Sequence, residues 1–455
     1  MLKKILSEKS ILFFILFIAV FLRFSSLAVF MYKNDITISE NGMSAYPLGD
    51  DSQIYYNTAK NLVEGKGYSI TTTEIYQELP VFFKPTGIPN TYYQNYYPPV
   101  YSVFLSILYR LFGTSILVYA IPQIILGVAT CYLAYFIART AFSSKMGLLA
   151  CFLLAIYHPL IWWTAYIRAE TLFIFLLLLT IIFLMKAVQK NLDLKYIIFS
   201  GIALGISCLC RAVVLYLPIF IVFYFAILLF KKDKKRLFLG TTVFLLTFCV
   251  TLAPWSYRNH KIFKTYSVTS SDAWATFYGC NVMSPDLPFF DLYELKFPDE
   301  KVEILLPGDE KAASIAFVKD RPLTYAKLCL KRCIAFWSPI TKKPSLIKKV
   351  LDTIIYIFVF PMAFYGFYKS KWWFDVGAGL KPAPTLLITV ILYYTILHSL
   401  VGVDDALIYR YPIIPLICIF SAYGYYAYFT RIGHRPTLVN TDKTLESVME
   451  QKIDT

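Results

Sequence analysis

Two adjacent carboxylates, Asp50 and Asp51, follow the first apolar segment of the chain, at the start of the stretch GDDSQIYYNTAKNLVEGKGY. A carboxylate held at a membrane surface can act as a general base, because it can take a proton from a hydroxyl nucleophile. Arginines occur in several later apolar segments, and a guanidinium pairs bidentately with phosphate while staying charged at any working pH. The combination suggests general-base chemistry on a lipid-borne phosphate substrate.

The same carboxylates also allow a structural interpretation, because an aspartate just before a helix commonly caps it. The stretch SQIYYNTAKNLVEG predicts an amphipathic helix that ends at Gly65 and Gly67. One cap requires only one carboxylate, so the pair exceeds the structural need.

The composition places the chain among polytopic membrane proteins. Its 455 residues are 58% hydrophobic, 18% aromatic and only 16% charged, with a mean hydropathy of +0.57, which lies outside the range of soluble globular domains. The net charge of +15 falls in short clusters of Lys and Arg between apolar runs, as topology signals do. A nucleic-acid partner is therefore not expected.

The apolar runs predict an all-α bundle of about 10–12 transmembrane helices with two outer loops that carry amphipathic helices. The run near 11–30 is interpreted as an uncleaved signal anchor, because it is longer than a signal-peptide core and precedes no small-residue cleavage site. The positive-inside rule places the cluster KKDKKR, at 231–236, in the cytoplasm. The other predicted spans lie near 115–137, 146–163, 169–187, 196–209, 212–230, 237–257, 349–368, 385–402 and 407–430.

The segment YPPVYSVFLSILYRLFG, at 97–113, is an exception among the apolar runs. Its two prolines leave only about fifteen apolar residues, too few for an upright span. Counting it as a span would also place 231–236 outside. We therefore expect a helix that lies flat or re-entrant at the outer surface.

This topology predicts four regions. They are an N-terminal transmembrane module over 1–257 that includes the outer loop 31–98, a second outer loop over 258–348 with a helix near 311–336, C-terminal helices over 349–430, and a cytoplasmic tail over 431–455. The first outer loop is rich in Tyr, Pro and Asn, which suits a sugar-contacting or headgroup-level surface and equally an ordinary interfacial aromatic belt.

The remaining charges in apolar segments are all expected at the outer ends of helices. An unpaired charge near the membrane costs about a few kcal/mol or more, so each is a functional candidate. The structural alternatives are snorkelling to headgroups and internal ion pairs, such as Arg168 with Glu170 or Arg410 with Asp404 or Asp405. The set consists of Arg168, Glu170, Arg211, Arg258, Asp404, Asp405 and Arg410.

The order of these motifs resembles the membrane glycosyltransferases of the GT-C fold. The resemblance covers roughly 1–275 and 385–430, and it rests on GDDSQIYYNTAKNLVEGKGYS, YPPVYSVFLSILYRLFG, GIALGISCLCRAVVLYLP, APWSYRNHKIF and IYRYPIIPL in this order. The most similar branch is the group of dolichyl-phosphate-mannose protein mannosyltransferases and lipid A aminoarabinose transferases, with RgtA/B/C/D-like bacterial members.

The resemblance implies a polyprenyl-phosphate-linked sugar donor and a glycan, lipid or protein acceptor. In this family an acidic residue in the first outer loop activates the acceptor, and it matches Asp50 with Asp51. We expect Asp50 to be the base and Asp51 to orient it, hold a metal ion or bind the acceptor, with the order of the two left open. Some members bind a divalent metal ion; here Asp51 and His260 are candidates, without a recognisable metal motif. The segments PW-x-x-RN and R-Y-x-x-P match Arg258 and Arg410.

Inverting glycosyl transfer agrees with these residue types. One carboxylate takes the acceptor proton and a positive site stabilises the departing phosphate, without a second carboxylate for a glycosyl intermediate. The candidates for donor phosphate binding are Arg258, Arg410, Arg211 and Arg168, and those for substrate binding are Tyr55, Tyr97 and Lys84.

Two other functions would also use outer arginines and many helices: a lipid-linked sugar translocase and an outer-face polysaccharide polymerase. Neither explains a carboxylate pair directly after the first helix, and a transporter should place charges nearer the bilayer midplane. The sequence therefore favours a transferase, in a bacterial inner (plasma) membrane with its site on the periplasmic or extracellular face. The sugar and the acceptor stay open.

Overall fold

The computed structural model describes most of the chain. The described residues are 7–34, 50–72, 83–229, 233–267, 310–338, 346–370, 381–402 and 406–433, with the isolated residues 274, 277, 278 and 281. They form a helical bundle that carries a small sheet at one end.

The helices of the N-terminal part follow the predicted spans and the predicted surface helices. They are α1 (Glu8–Lys33), α2 (Asp50–Val63), α3 (Pro99–Phe112), α4 (Ile116–Ala141), α5 (Ser144–Ala155), α6 (His158–Trp162), α7 (Glu170–Gln189), α8 (Leu194–Cys210), α9 (Leu217–Leu229) and α10 (Lys234–Phe263), with 3₁₀ turns at Trp163–Ala165 and Ala212–Val214.

The C-terminal part adds two helices of the second loop and then the last apolar helices. They are α11 (Glu310–Asp320), α12 (Pro322–Trp337), α13 (Leu346–Lys369), α14 (Pro382–Val401), α15 (Ala406–Arg410) and α16 (Ile414–Gly433), with a 3₁₀ turn at Tyr411–Ile413 between the last two. The predicted helix near 311–336 is therefore present, split into α11 and α12.

Seven stretches in the described residues are long and apolar enough to cross a membrane, and they lie in α1, α4, α7, α10, α13, α14 and α15–α16. The pair α5 and α6, bent by 61°, gives an eighth if it is one span. Two further predicted spans, α8 and the stretch Ala212–Leu228, are shorter apolar helices. All ten predicted spans are helical over most of their length, which confirms the all-α polytopic class. The number that cross a membrane and the four-region division stay predictions.

Small residues let the helices of the bundle approach closely. A Cβ atom built on Gly201 of α8 would lie 2.0 Å from Thr247 Oγ1 of α10, and one on Gly366 of α13 would lie 1.9 Å from the Phe420 carbonyl of α16. Such contacts are impossible for any larger residue without a shift of the backbone. Close approach at small residues is a common way in which apolar helices associate in lipid.

The chain alternates in direction, so that one end of the bundle collects the residues predicted for chemistry. Gln123, near the start of α4, donates to the Tyr166 carbonyl just before α7 at 2.7 Å. Arg258, near the end of α10, donates to the Gln94 carbonyl of the first loop at 2.9 Å. We call this end, which holds 50–72, 83–98, 163–170 and the end of α10, the outer end.

The first loop contains a sheet that the sequence did not predict. Strands β1 (Ser69–Thr71), β2 (Phe83–Pro85) and β3 (Thr91–Gln94) are antiparallel in the order β1-β3-β2. Gly87 and Asn90, with φ of 91° and 54°, turn the chain between β2 and β3. Part of the Tyr-rich stretch is therefore strand β3.

Helix α3 packs on α2 with one side and leaves the other side exposed. Tyr101, Leu105 and Tyr109 are buried, while Ile107 and Leu111 are 54% and 66% exposed. The 14 residues of this helix are too few for an upright span. This agrees with the expectation for 97–113, and its flat or re-entrant position in a membrane stays a prediction.

Candidate active site

Asp51 lies in the first turn of α2 and has two partners from other parts of the fold. Tyr97 donates its hydroxyl to Oδ1 at 2.5 Å, and Arg168 forms an ion pair with Oδ2. The Asp51 side chain is 37% exposed, so it remains reachable from solvent. Asp51 thus lies inside the helix and contacts distant residues, whereas a cap would precede the helix. Asp50 is the first residue of α2, and its side chain lies outside the described residues.

Tyr97 is held as a hydrogen-bond donor by its surroundings. Its ring stacks on Tyr55 with 4.5 Å between the ring centroids. Burial raises the pKa of the Tyr97 phenol far above its usual value, and the negative charge of Asp51 adds to this. The phenol therefore stays protonated and keeps donating to Asp51. Tyr55 itself is buried, with 4% of its surface exposed.

A second ion pair lies beside the first. Glu170, in the first turn of α7, pairs with Arg211, which directly follows α8. Burial raises the pKa of the Tyr55 phenol, and the charges of Arg211, Glu170 and Asp51 also act on it. Members of both pairs are therefore near enough to Tyr55 to act on its phenol electrostatically. The sequence allowed a pair between Arg168 and Glu170, but in the structure each of them pairs with another residue.

Two polar atoms of these pairs are buried without a hydrogen-bond partner among the described residues. They are Arg168 Nε and Glu170 Oε2. The guanidinium of Arg168 also lies over the Trp163 ring, 5.1 Å from its centroid. The site thus offers one buried donor and one buried acceptor, and such groups ordinarily bind a partner. An oxyanion and a hydroxyl are complementary to them.

Arg258 and Lys84 lie at the sheet. Arg258 donates to the carbonyls of Gln94 and Tyr68, at 2.9 Å and 3.1 Å, and so ties the sheet to α10. Lys84 extends from β2 over the Phe263 ring of α10, 5.8 Å from its centroid. Both residues contact protein groups in this structure.

Arg410 lies in a separate polar cluster. It is 2% exposed and donates to the carbonyls of Phe336 and Ser338 at 2.6 Å and 3.0 Å. Asp352 of α13 lies 3.5 Å from His158 Nδ1 of α6. Asp352 and Arg410 both line a cavity of about 20 Å³, whose other lining residues are Tyr157, Pro159, Ile355, Tyr356 and Tyr411.

Two aromatic rings, Trp163 and Tyr411, form a chain of contacts from Arg168 to this cluster. The centroids of these rings are 6.1 Å apart. The structure therefore brings Arg168 and Arg211 to carboxylates, whereas Arg410 binds backbone carbonyls. Sequence reasoning missed Asp352, whose signal was a lone carboxylate inside the predicted span 349–368. Asp404 and Asp405 lie outside the described residues.

The candidate metal ligands have other partners. His260 stacks on the Tyr266 ring at 3.9 Å, and the oxygens of Asp51 face Arg168 and Tyr97. In the part of the chain that the structure describes, no group of three or more His, Cys, Asp or Glu could hold a metal ion. Asp51 and His260 therefore do not form a metal site in this arrangement.

The geometry can be compared with known proteins. Residues 97–255 match the family model of the dolichyl-phosphate-mannose-protein mannosyltransferases. The chain is similar to the Archaeoglobus fulgidus oligosaccharyltransferase AglB, in complex with an inhibitory peptide and a dolichol-phosphate, with a TM-score of 0.57 and 18% identity over 98% of this chain and 52% of that one. This chain has the GT-C fold. The resemblance stated from the sequence is confirmed.

This chain is similar to two further structures of an Archaeoglobus fulgidus oligosaccharyltransferase. The apo form has a TM-score of 0.57 and 17% identity over 98% of this chain and 52% of that one. The form tethered with an acceptor peptide that contains the NVT sequon has a TM-score of 0.57 and 16% identity, over 95% and 51%. No curated protein matches the chain. The chain spans about half the length of the oligosaccharyltransferases it matches. Together these likenesses show the fold of this chain.

Proposed function

We propose that this protein moves a sugar from a polyprenyl-phosphate donor to a hydroxyl of a glycan, lipid or protein acceptor, with inversion, at the outer end of the bundle. The observation that carries the proposal is the pair of neighbouring ion pairs, Asp51 with Arg168 and Glu170 with Arg211. They combine carboxylates with guanidinium groups in one place, as the reaction requires. The fold and the family match over 97–255 support the same class of reaction.

The reaction needs one proton acceptor and one site for developing negative charge. The acceptor oxygen attacks the anomeric carbon as its proton passes to a carboxylate. The bond between that carbon and the phosphate oxygen breaks, and the polyprenyl phosphate leaves with the bonding electrons. Fixed positive charge close to the phosphate stabilises this charge in the transition state.

The contacts of the arginines favour two of the four candidates for this role. Arg168 and Arg211 belong to the ion pairs with Asp51 and Glu170. Arg258 and Arg410 donate to backbone carbonyls, which suits a positioning role. We therefore assign the donor phosphate to Arg168 and Arg211.

The two aspartates are assigned different roles, orientation and proton abstraction. Both oxygens of Asp51 have partners, Tyr97 on one and Arg168 on the other. Such a carboxylate suits the orientation of Arg168 and of the acceptor. Proton abstraction is then assigned to Asp50, the preceding residue of the same helix.

The setting that agrees with the charge pattern is a bacterial inner membrane with the outer end facing the periplasm.

The test is sugar transfer by the purified protein from a panel of synthetic polyprenyl-phosphate sugars, radiolabelled in the sugar, to host membrane extract. The variants are Asp50→Asn, Asp51→Asn and the double variant. The matched control is Glu64→Gln, which removes a carboxylate just after α2 that pairs with Lys66 at 2.6 Å. We expect turnover with one donor, its loss in an aspartate variant, and its retention in the control.

Other outcomes would contradict the proposal. No turnover with any donor, from folded protein and complete extract, would overturn it and favour a translocase or a polymerase. Turnover that survives in the double aspartate variant would overturn the assignment of the base to this pair.

A further inference from the structure

The segment that carries Arg168 is largely buried and not α-helical. It comprises 163–169, which are the 3₁₀ turn Trp163–Ala165 and the four residues before the start of α7. Thr164, Ala165 and Ile167 are each exposed by no more than 1%. The carbonyls of such a segment lack the helical amides that would otherwise bind them, and a buried carbonyl without a partner costs about 1–3 kcal/mol.

Three side chains from α2 and α4 bind four successive carbonyls of this segment. Each bond crosses from one element to another, so together they fix the segment in position. Gln123 Nε2 donates to the carbonyls of Thr164 at 3.3 Å and Tyr166 at 2.7 Å, Tyr119 Oη donates to that of Ala165 at 3.1 Å, and Ser52 Oγ donates to that of Ile167 at 3.0 Å.

Gln123 is the central member of this set. It is fully buried, and its Oε1 accepts a hydrogen bond from the Tyr101 hydroxyl of α3 at 3.1 Å. This bond orients the amide, because only Nε2 can then donate to the carbonyls. Gln123 thereby connects α3 and α4 with the segment in front of α7.

Ser52 links the set to the candidate site. Adjacent residues of α2 bind adjacent residues of the segment: Ser52 binds the Ile167 carbonyl and Asp51 pairs with Arg168. The position of the Arg168 guanidinium therefore depends on where the carbonyls of 164–167 are held.

We propose that Gln123, assisted by Tyr119 and Ser52, is a positioning residue that holds Arg168 in register with Asp51. The catalytic consequence rests on the proposed function, whereas the mechanical one does not. Small displacements matter, since a misplacement of about 1 Å far from the reacting atoms can cost roughly a hundredfold in rate. Gln123 itself lies behind the segment and acts through Arg168.

The first test is the substitution Gln123→Met, which keeps the length of the side chain and removes its amide. The matched control is Thr130→Val on the same helix, whose hydroxyl donates to the Leu126 carbonyl of α4 itself at 2.8 Å. We expect kcat to fall about tenfold with the donor KM changed less than about twofold, because the donor still binds but the charge is misplaced. Thr130→Val should change neither constant.

A double-mutant cycle separates positioning from a general loss of structure. In an Arg168→Ala background, Gln123→Met should lower kcat by less than about twofold, because the group that Gln123 positions is already absent. A full additional tenfold loss in that background would overturn the proposal. So would a fall in kcat that Thr130→Val reproduces.

Hydrogen exchange gives a readout that does not depend on turnover. Amides of 163–169 should exchange faster in Gln123→Met and, more weakly, in Tyr119→Phe, which removes a single hydroxyl and is the safer variant for folding. Unchanged exchange in both variants would overturn the positioning role whatever the enzyme does. If the wild type shows no turnover, the proposed function fails while this measurement still decides the proposal.

Discussion

Arg168 and Arg410 are both arginines that the sequence predicted at the outer ends of helices and proposed for the donor phosphate, yet the structure gives them different partners. Arg168 pairs with the partly exposed carboxylate of Asp51. Arg410 is buried and donates to the carbonyls of Phe336 and Ser338. Arg168 therefore lies at the candidate site, whereas Arg410 stabilises the fold.

The difference follows from the partners that the tertiary structure supplies. Helix α12 ends at Trp337, so the carbonyls of Phe336 and Ser338 belong to a helix end that lacks amide donors. A guanidinium at a helix C-terminus binds such carbonyls and is favoured by the helix dipole. Arg258 likewise binds backbone carbonyls, those of Gln94 and Tyr68 in the sheet region of the first loop. An outer arginine is thus a candidate for catalysis when it pairs with a carboxylate instead of binding backbone carbonyls.

The largest effect is expected from breaking the Glu170–Arg211 pair, which extends the comparison to a buried carboxylate. The Glu170 side chain is 3% exposed, so Arg211→Met leaves an uncompensated buried charge. We expect the free energy of unfolding in detergent to fall by about 3–5 kcal/mol. Adding Glu170→Gln should restore most of the lost free energy of unfolding, because the buried charge is then removed. A double variant as unstable as Arg211→Met would contradict the pairing.

Arg168→Met tests the catalytic side of the comparison. We expect turnover to fall about 100- to 1000-fold, because a charge directed at the leaving phosphate is lost. Stability should change by less than about 1 kcal/mol, since Asp51 is partly exposed and can be solvated. The measurement is kcat/KM with thermal unfolding of the same preparation. A loss of stability that accounts for the loss of turnover would place Arg168 in the same class as Arg410.

Arg410→Met tests the structural side. It leaves the carbonyls of Phe336 and Ser338 without their donor, and we expect a loss of about 2 kcal/mol in the free energy of unfolding. The folded fraction should keep turnover within about tenfold of the wild type, far above Arg168→Met. A stable Arg410→Met protein without turnover would return Arg410 to the donor phosphate.

Much of the fold could be predicted because it depends on local patterns. Apolar runs of span length and the clusters of Lys and Arg between them predicted the helices and the end of the bundle where the charges meet. Gly65 and Gly67, with φ of 77° and 74°, follow α2 where the sequence predicted its end. These signals lie within a few residues of the feature that they predict.

The pairings at the site could not be predicted, because they join distant parts of the chain. Asp51 and Arg168 are 117 residues apart, and Glu170 and Arg211 are 41 apart. Proximity in sequence favoured Arg168 with Glu170, but the turn before α7 directs these side chains to different partners. The sheet was missed for a related reason, since strands of three or four residues give little periodic signal.

Tyr97→Phe has the smallest expected effect and sharpens the comparison within the site. It removes one hydrogen bond to Asp51 and leaves the pair with Arg168, so we expect about a fivefold loss of kcat, in line with roughly 1 kcal/mol for one hydrogen bond. Because burial raises the pKa of Tyr97, the phenol stays protonated, and the ratio of wild type to variant should be constant from about pH 6 to 9. The control Tyr56→Phe removes a hydroxyl from α2 itself and should leave kcat unchanged. A ratio that falls towards one as the pH rises in this range would show that the phenol loses its proton there and is no permanent donor to Asp51.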